Sequence, residues 1–157
     1  MKIKWIVIGK TDDKCIGELT EKYLMRLRGF IPAELIEIPD LKKTKTMPER
    51  LRKEKEGNLI LKQIKPGDYV VLLDENGRSF SSLQWSKHLE KLTARIPGNL
   101  LFVTGGAYGF SEAVYNRADE KLSLSPMTFS HQIIRPLFAE QLYRAFSIIK
   151  GHPYHNE

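Results

Sequence analysis

Residues 99–111 read Asn99-Leu100-Leu101-Phe102-Val103-Thr104-Gly105-Gly106-Ala107-Tyr108-Gly109-Phe110-Ser111, and their order decides the fold class. The apolar run has strand length and no polar alternation, as expected of a strand covered on both faces. Three glycines follow, where the backbone can take positive φ and a ligand can approach N–H groups closely. Ser111 can then cap a short helix. A buried strand that runs through a loop into a helix is the repeating unit of an α/β layer fold. The unit recurs on either side. Residues 3–8 form a first strand with apolar residues on both faces, and residues 13–28 a helix with Ile16, Leu19, Tyr23 and Leu27 at helical spacing, capped by Asp12 or Asp13 and closed by Gly29. Residues 33–38 are a second strand, and Thr46-Met47-Pro48-Glu49 reads as a capping box opening a helix to about Ile64. Pro66-Gly67-Asp68 turns into the strand Tyr69-Val70-Val71-Leu72-Leu73, which Asp74-Glu75-Asn76-Gly77 should stop. A helix marked by Trp85, Leu89, Leu92 and Ile96, a strand at 121–124 and a last helix from about Gln132 to Lys150 complete the pattern. The expectation is a mainly parallel sheet of five to six strands with helices on both faces.

At 157 residues, 41% hydrophobic and 28% charged, the chain suits one globular domain and lies far from disordered compositions. Its net charge of +6 favours an anionic partner. One cysteine, Cys15, cannot form an internal disulfide, which points to a reducing cytoplasm, and a small filler residue is the simpler reading of it. No apolar run approaches a signal-peptide core or a bilayer span, so no membrane association is expected.

Several short patterns could carry chemistry. Gly9-Lys10-Thr11 imitates the end of a phosphate-binding P-loop, but position 4 is Lys4 where that loop needs glycine. Asp12-Asp13 suggests a phospho-acceptor domain, yet helix capping accounts for the pair. The loop Gly105-Gly106-Ala107-Tyr108-Gly109 is by itself either a tight turn or a ligand cradle. Residues 122–131 (Leu-Ser-Leu-Ser-Pro-Met-Thr-Phe-Ser-His) are small, apolar and poor in charge, suiting either a core strand with its loop or a pocket for an adenine ring and a sulfonium. His152-Pro153-Tyr154-His155 has no companion ligands at metal spacing, so no metal is expected, and the segment is either a solvated tail or a substrate-contacting flap. The last helix is apolar nearly all round, which means deep burial or an oligomer contact. Residues 42–55 hold a local charge of +5, either a solvated face or a grip for a polyanion.

Taken together, the glycine loop, Leu124-Ser125-Pro126-Met127-Thr128-Phe129-Ser130-His131, Glu140-Gln141-Leu142-Tyr143-Arg144-Ala145 and His152-Pro153-Tyr154-His155 make the chain resemble the bacterial ribosomal RNA large subunit methyltransferase H family over its whole length. The resemblance implies a SPOUT-class enzyme that transfers a methyl group from S-adenosylmethionine to N3 of a pseudouridine in 23S ribosomal RNA and acts as a homodimer. It implies one domain over 1–157, with a trefoil knot and the cofactor site in about 70–157. The family's cofactor contacts then fall on Leu73, Gly105, Gly106, Leu124, Ser125, Pro126, Met127, Thr128 and Phe129. His131, Arg144, Tyr154 and His155 are the candidates for assisting loss of the N3 proton. Ala107, Tyr108 and Ser130 receive no chemistry. Lys42, Lys43, Lys45, Arg50, Arg52, Lys53 and Arg135 are candidate contacts to the RNA of the ribosome. The competing reading is a non-catalytic basic α/β RNA-binding module, which S-adenosylmethionine binding would exclude.

Neutralising phosphates makes affinity salt-dependent, so replacing Lys42, Lys43 and Lys45 together by glutamate is expected to weaken RNA binding and flatten its dependence on salt, by about 0.7–0.9 in log–log slope for each phosphate no longer neutralised. Donor binding measured in parallel should be unchanged. An unaltered slope would make the segment a solvated face.

Overall fold

The computed structural model describes residues 1–156. Five parallel strands, β1 (Ile3–Ile8), β2 (Ala33–Ile38), β3 (Tyr69–Arg78), β4 (Leu100–Thr104) and β5 (Glu120–Leu122), form one sheet in the order β2-β1-β4-β3-β5. The helices are α1 (Lys14–Arg28), α2 (Glu49–Lys62), α3 (Ser82–Arg95), α4 (Glu112–Arg117) and α5 (Ile134–Ile149). Strand side chains alternate between faces, and both faces are apolar here. Ile3, Trp5, Val7, Val71, Leu73, Leu100 and Phe102 point toward α1, α3 and α5, while Ile6, Ile8, Val70, Leu72, Leu101 and Val103 point toward α2 and α4. This two-sided burial explains the unbroken apolar runs in the sequence.

Helix ends follow local chemistry. Asp13 caps α1 by accepting from the Cys15 and Ile16 amides, Ser81 and Gln84 form a capping box on α3, and Ser111 caps α4. The capping box expected at Thr46 and Glu49 is absent: α2 starts after Pro48, with no side-chain cap, and Thr46 ends a single 3-10 turn, Thr44–Thr46. A box capped at Thr46 needs Met47 as the first helical residue, and the proline that follows disfavours helical backbone there. Nor does β3 stop at Leu73. It continues to Arg78 across a register shift, because Arg78 also pairs with Leu122 of β5.

That continuation produces a close backbone crossing. A Cβ on Gly77 would lie 2.6–2.7 Å from backbone atoms of Lys121 and Leu122, and the Ser123 amide donates to the Arg78 carbonyl at 3.0 Å. From the sheet edge at β5, the chain returns past this β3–α3 connection, and α5 packs on both α1 and α3. Phe138 of α5 there meets Trp5 and Phe102 edge-on, with ring centroids 5.1 and 5.0 Å away. Such a return is the kind of crossing a trefoil knot requires.

One charged side chain fixes α5 over the sheet. Arg135 is only 1% exposed; its Nε donates to the His131 carbonyl (3.1 Å), and its terminal nitrogens donate to Thr11 Oγ1 (2.8 Å) and the Ile8 carbonyl (2.9 Å). Burial lowers its pKa from the usual guanidinium value, opposed by the nearby carboxylates of Glu37, Asp12 and Asp40. Arg135 is therefore corrected from an RNA contact to an internal tie. The P-loop-like stretch serves the same junction, since the Lys10 carbonyl accepts from Gln132 and the Asp12 amide donates back to it.

Replacing Arg135 by Met leaves two carbonyls without their donors, so equilibrium urea unfolding is expected to show a loss of about 2–4 kcal/mol. Any RNA binding by the folded variant should keep the wild-type salt slope. A stability change within error would contradict the tie.

Candidate active site

The carboxyl ends of β3, β4 and β5 open into a cleft of about 700 Å³, a size suited to a nucleoside-sized ligand. Ligands of open α/β sheets bind at these strand ends. Leu73, Gly105, Gly106, Leu124, Ser125, Met127, Thr128 and Phe129 all line the cleft, joined by His131. Pro126 does not line it. The stretch from Leu124 to His131 is shaped by its own small polar groups: the Ser125 carbonyl accepts from Ser123 Oγ, Ser125 Oγ accepts from the Met127 amide, and Ser130 Oγ accepts from the Ile133 amide. Met127 and Phe129 are left exposed at the mouth.

The glycine loop is held tightly against α2. The Gly109 amide donates to the Gly106 carbonyl at 3.2 Å, and Gly109 takes a φ of +84°, so residues 106–109 form a tight turn. A Cβ on Gly106 would lie 2.7 Å from Oε2 of the buried Glu56. Arg52 Nε donates to the other oxygen of Glu56, at 3.2 Å, and the guanidinium lies 5.2 Å from the ring centroid of Tyr108. On the sheet side, Thr104 Oγ1 accepts from the indole nitrogen of Trp5 at 2.9 Å. Thr104 is thus oriented by the core beneath it.

The charges in the cleft were not legible in the sequence. Glu49, Asp74 and Glu75 line it, and among the described residues no lysine or arginine does. Asp74 and Glu75 belong to the part of β3 that resembles a turn, and Glu49 comes from the start of α2, distant along the chain. The one available signal was the acidic pair following a buried strand. Asp74 is itself positioned: its Oδ1 accepts from the Asn76 amide, and its Oδ2 accepts from the Tyr115 hydroxyl at 2.6 Å. Burial, with the bond to Asp74, pushes the Tyr115 phenol up to about 12, so it remains a donor throughout the neutral range.

Arg144, Tyr154 and His155 do not reach this cleft. They form a second cluster around Glu140, whose Oε1 accepts from Arg144 (2.5 Å) and from the Tyr154 hydroxyl (3.0 Å). Arg144 Nη1 lies 3.0 Å from His155 Nδ1, and the Tyr154 ring meets Tyr143 edge-on. Burial, Tyr23 and Glu140 together hold the Tyr154 phenol well above its ordinary pKa. The closing segment therefore folds back on α1 and α5, with His152 against Phe30. Arg144 is ten residues beyond the cleft-lining Ile134, about 15 Å along the helix. Of the basic candidates, Lys42, Lys43, Lys45 and Arg50 are exposed, whereas Arg52 and Lys53 are half-buried in pairs with Glu56 and Glu49. Among the described residues, no three His, Cys, Asp or Glu side chains gather as a metal site, and no helix is long and apolar enough to cross a membrane.

Comparison with known proteins agrees with this geometry. Residues 1–155 match the family model described as "Predicted SPOUT methyltransferase". The chain is 56% identical over 157 residues to a Parabacteroides distasonis protein named "Ribosomal RNA large subunit methyltransferase H", covering all of both chains. It is 54% identical to a protein of the same name from Christiangramia forsetii, covering 99% of each. Among solved structures, a probable methyltransferase from Bordetella pertussis Tohama I shares the fold with a TM-score of 0.55 at 12% identity, over 92% of this chain and 96% of that one. A probable methylase family protein from Haemophilus influenzae Rd KW20 gives 0.54 at 13% identity, over 99% of this chain and 70% of the other. A strand-end cleft built from the glycine loop and the 124–131 segment, in a chain matched from end to end by these relatives, belongs to a methyltransferase: the chain is a member of the SPOUT methyltransferase family.

Proposed function

We propose that the chain uses S-adenosylmethionine to methylate N3 of a pseudouridine in 23S ribosomal RNA, on the assembled ribosome in the cytoplasm, as a homodimer of one-domain protomers whose C-terminal parts are knotted. The observation that carries the donor assignment is the sign of the charge in the cleft. Three carboxylates and, among the described residues, no lysine or arginine line a pocket that also presents Leu122, Leu124, Phe129 and Ile134. Apolar walls suit an adenine ring, and acidic groups suit a ligand carrying both a sulfonium and an ammonium. Gly105 and Gly106 supply the close backbone approach, where an added Cβ would press on Phe110 or Glu56. The RNA assignment draws on the names of the relatives and on the exposed lysines before α2.

When bound, S-adenosylmethionine supplies a methyl group on positively charged sulfur, which leaves as a neutral thioether. The chain's task is positioning and proton management. Leu73, Gly105, Gly106 and the 124–129 segment would hold the donor, with Asp74 and Glu75 facing its charge. His131, which lines the cleft, would take the N3 proton or pass it to water. Arg144, ten residues along α5, and Tyr154 and His155, folded back against it from beyond the helix end, stand away from the cleft of their own chain, and pairing of two chains would let the cluster of one serve the other. Leu19 and Met25 on α1 and Leu137 on α5, with Ile133 just ahead of it, are exposed large apolar residues available for that contact. The return of the chain past Gly77 supports the knot.

Isothermal titration should give micromolar binding of S-adenosylmethionine by the wild type. Asp74→Asn with Glu75→Gln should weaken that binding about two- to fivefold more than binding of S-adenosylhomocysteine, whose sulfur is neutral. Equal losses would remove the charge argument, and no binding by the wild type would sink the donor assignment. Methylation assays on ribosomes, free large subunits and naked RNA, with the product mapped by mass spectrometry, test the substrate.

A further inference from the structure

We propose that Tyr108 is a stacking platform for an unpaired nucleobase beside the one being methylated, with Arg52 as the residue that positions it; this rests on the RNA methyltransferase reading above. Tyr108 is 47% exposed although it is a large aromatic side chain on the lip of the cleft. It occupies the third position of the tight turn Gly106–Gly109. A tyrosine ring has only two side-chain torsions to fix, so it presents a flat surface at small entropic cost.

The ring is supported from one side. The Arg52 guanidinium lies 5.2 Å from its centroid, within cation–π range, and Glu56 holds Arg52 in turn through a 3.2 Å hydrogen bond. Glu56 is 6% exposed and wedged against Gly106, so the support is anchored in the body of the protein. One ring face is thereby engaged by a cation, while the side chain as a whole stays exposed enough to meet a ligand. Sequence-specific RNA recognition commonly uses this device, with splayed bases stacking on aromatic rings or guanidinium planes.

The surroundings specify the ligand class. Arg52 belongs to α2, whose first turn carries the exposed Arg50 next to the cleft-lining Glu49, and the exposed Lys42, Lys43 and Lys45 precede that helix, so a phosphodiester backbone gripped there would lead toward the cleft mouth. Inside the lip, the charge turns acidic at Glu49, Asp74 and Glu75. The boundary between basic exterior and acidic cleft is where a polyanion has to release one base inward, and Tyr108 stands on it. Met127 and Phe129 continue the apolar lip on the opposite segment.

The test is steady-state methylation of ribosomes lacking the modification, with titration calorimetry of S-adenosylmethionine alongside. Tyr108→Leu is expected to raise KM for the ribosomal substrate about 5- to 150-fold, the range for loss of one stacked base, with the loss falling on KM rather than kcat. Tyr108→Phe and Tyr108→Trp should restore KM to within about threefold, because stacking needs the ring and not the hydroxyl. Arg52→Met should raise KM in wild type and have a much smaller effect in the Tyr108→Leu background, since the two act as a unit. The salt slope should stay at the wild-type value in Tyr108→Leu, unlike in the lysine variants. The proposal is overturned if Tyr108→Leu leaves KM unchanged, if Phe and Trp fail to rescue, or if donor affinity falls by the same factor as KM, which would make Tyr108 a support for the donor loop. A wild type that binds donor yet methylates no RNA would overturn the function on which it rests.

Discussion

Most of the cleft hangs from strand ends, and the helix that closes over them is held by one buried guanidinium. Arg135 directs its hydrogen bonds inward, to the last carbonyl of β1, to Thr11 and to the carbonyl of His131. A desolvated charge is costly unless its donors are satisfied, and satisfied donors tolerate little movement. The consequence is geometric: the 124–131 segment runs between two anchored points, the end of β5 and the Arg135 tie. Thr104, set by Trp5, and Gly106, set by Glu56, are constrained by the same logic from the sheet and from α2.

The electrostatics are divided just as sharply. The net +6 of the chain is concentrated outside the cleft, while the charged groups lining it are acidic. A polyanion and a cationic small molecule can therefore share one face of the protein without competing for the same residues. Screening weakens the outer field more than the partly enclosed inner one.

The strands were legible because burial on both faces writes a simple signature, and β1 and β2 match their expected limits residue for residue. Caps were legible where a single side chain makes them, as at Asp13 and Ser111. What failed was governed by partners distant in sequence. Asp74-Glu75-Asn76-Gly77 carries every local mark of a turn, and only pairing with Leu122 keeps it in the strand. Arg135 carries a charge and so reads as surface, because sequence does not display the three acceptors waiting beneath it. The resemblance to a family is what joined the glycine loop to the 124–131 segment, since spacing alone left the loop undecided between a turn and a cradle, and both segments line the one cleft. The carboxylates of the cleft and the support under Tyr108 required coordinates, being assembled from α2, β3 and the loop after β4.

The position of α5 between α1 and α3 also bears on how the protein is made. Synthesis is vectorial, and the slot that receives Phe138, Leu142 and Phe146 is complete well before residues 134–149 leave the ribosome's exit tunnel. For that interval the nascent chain carries an open apolar channel floored by Trp5 and Phe102, the kind of transient surface that chaperones recognise and that drives aggregation. The helix that covers this floor is the last element of the chain, so Trp5 and Phe102 stand uncovered until it docks.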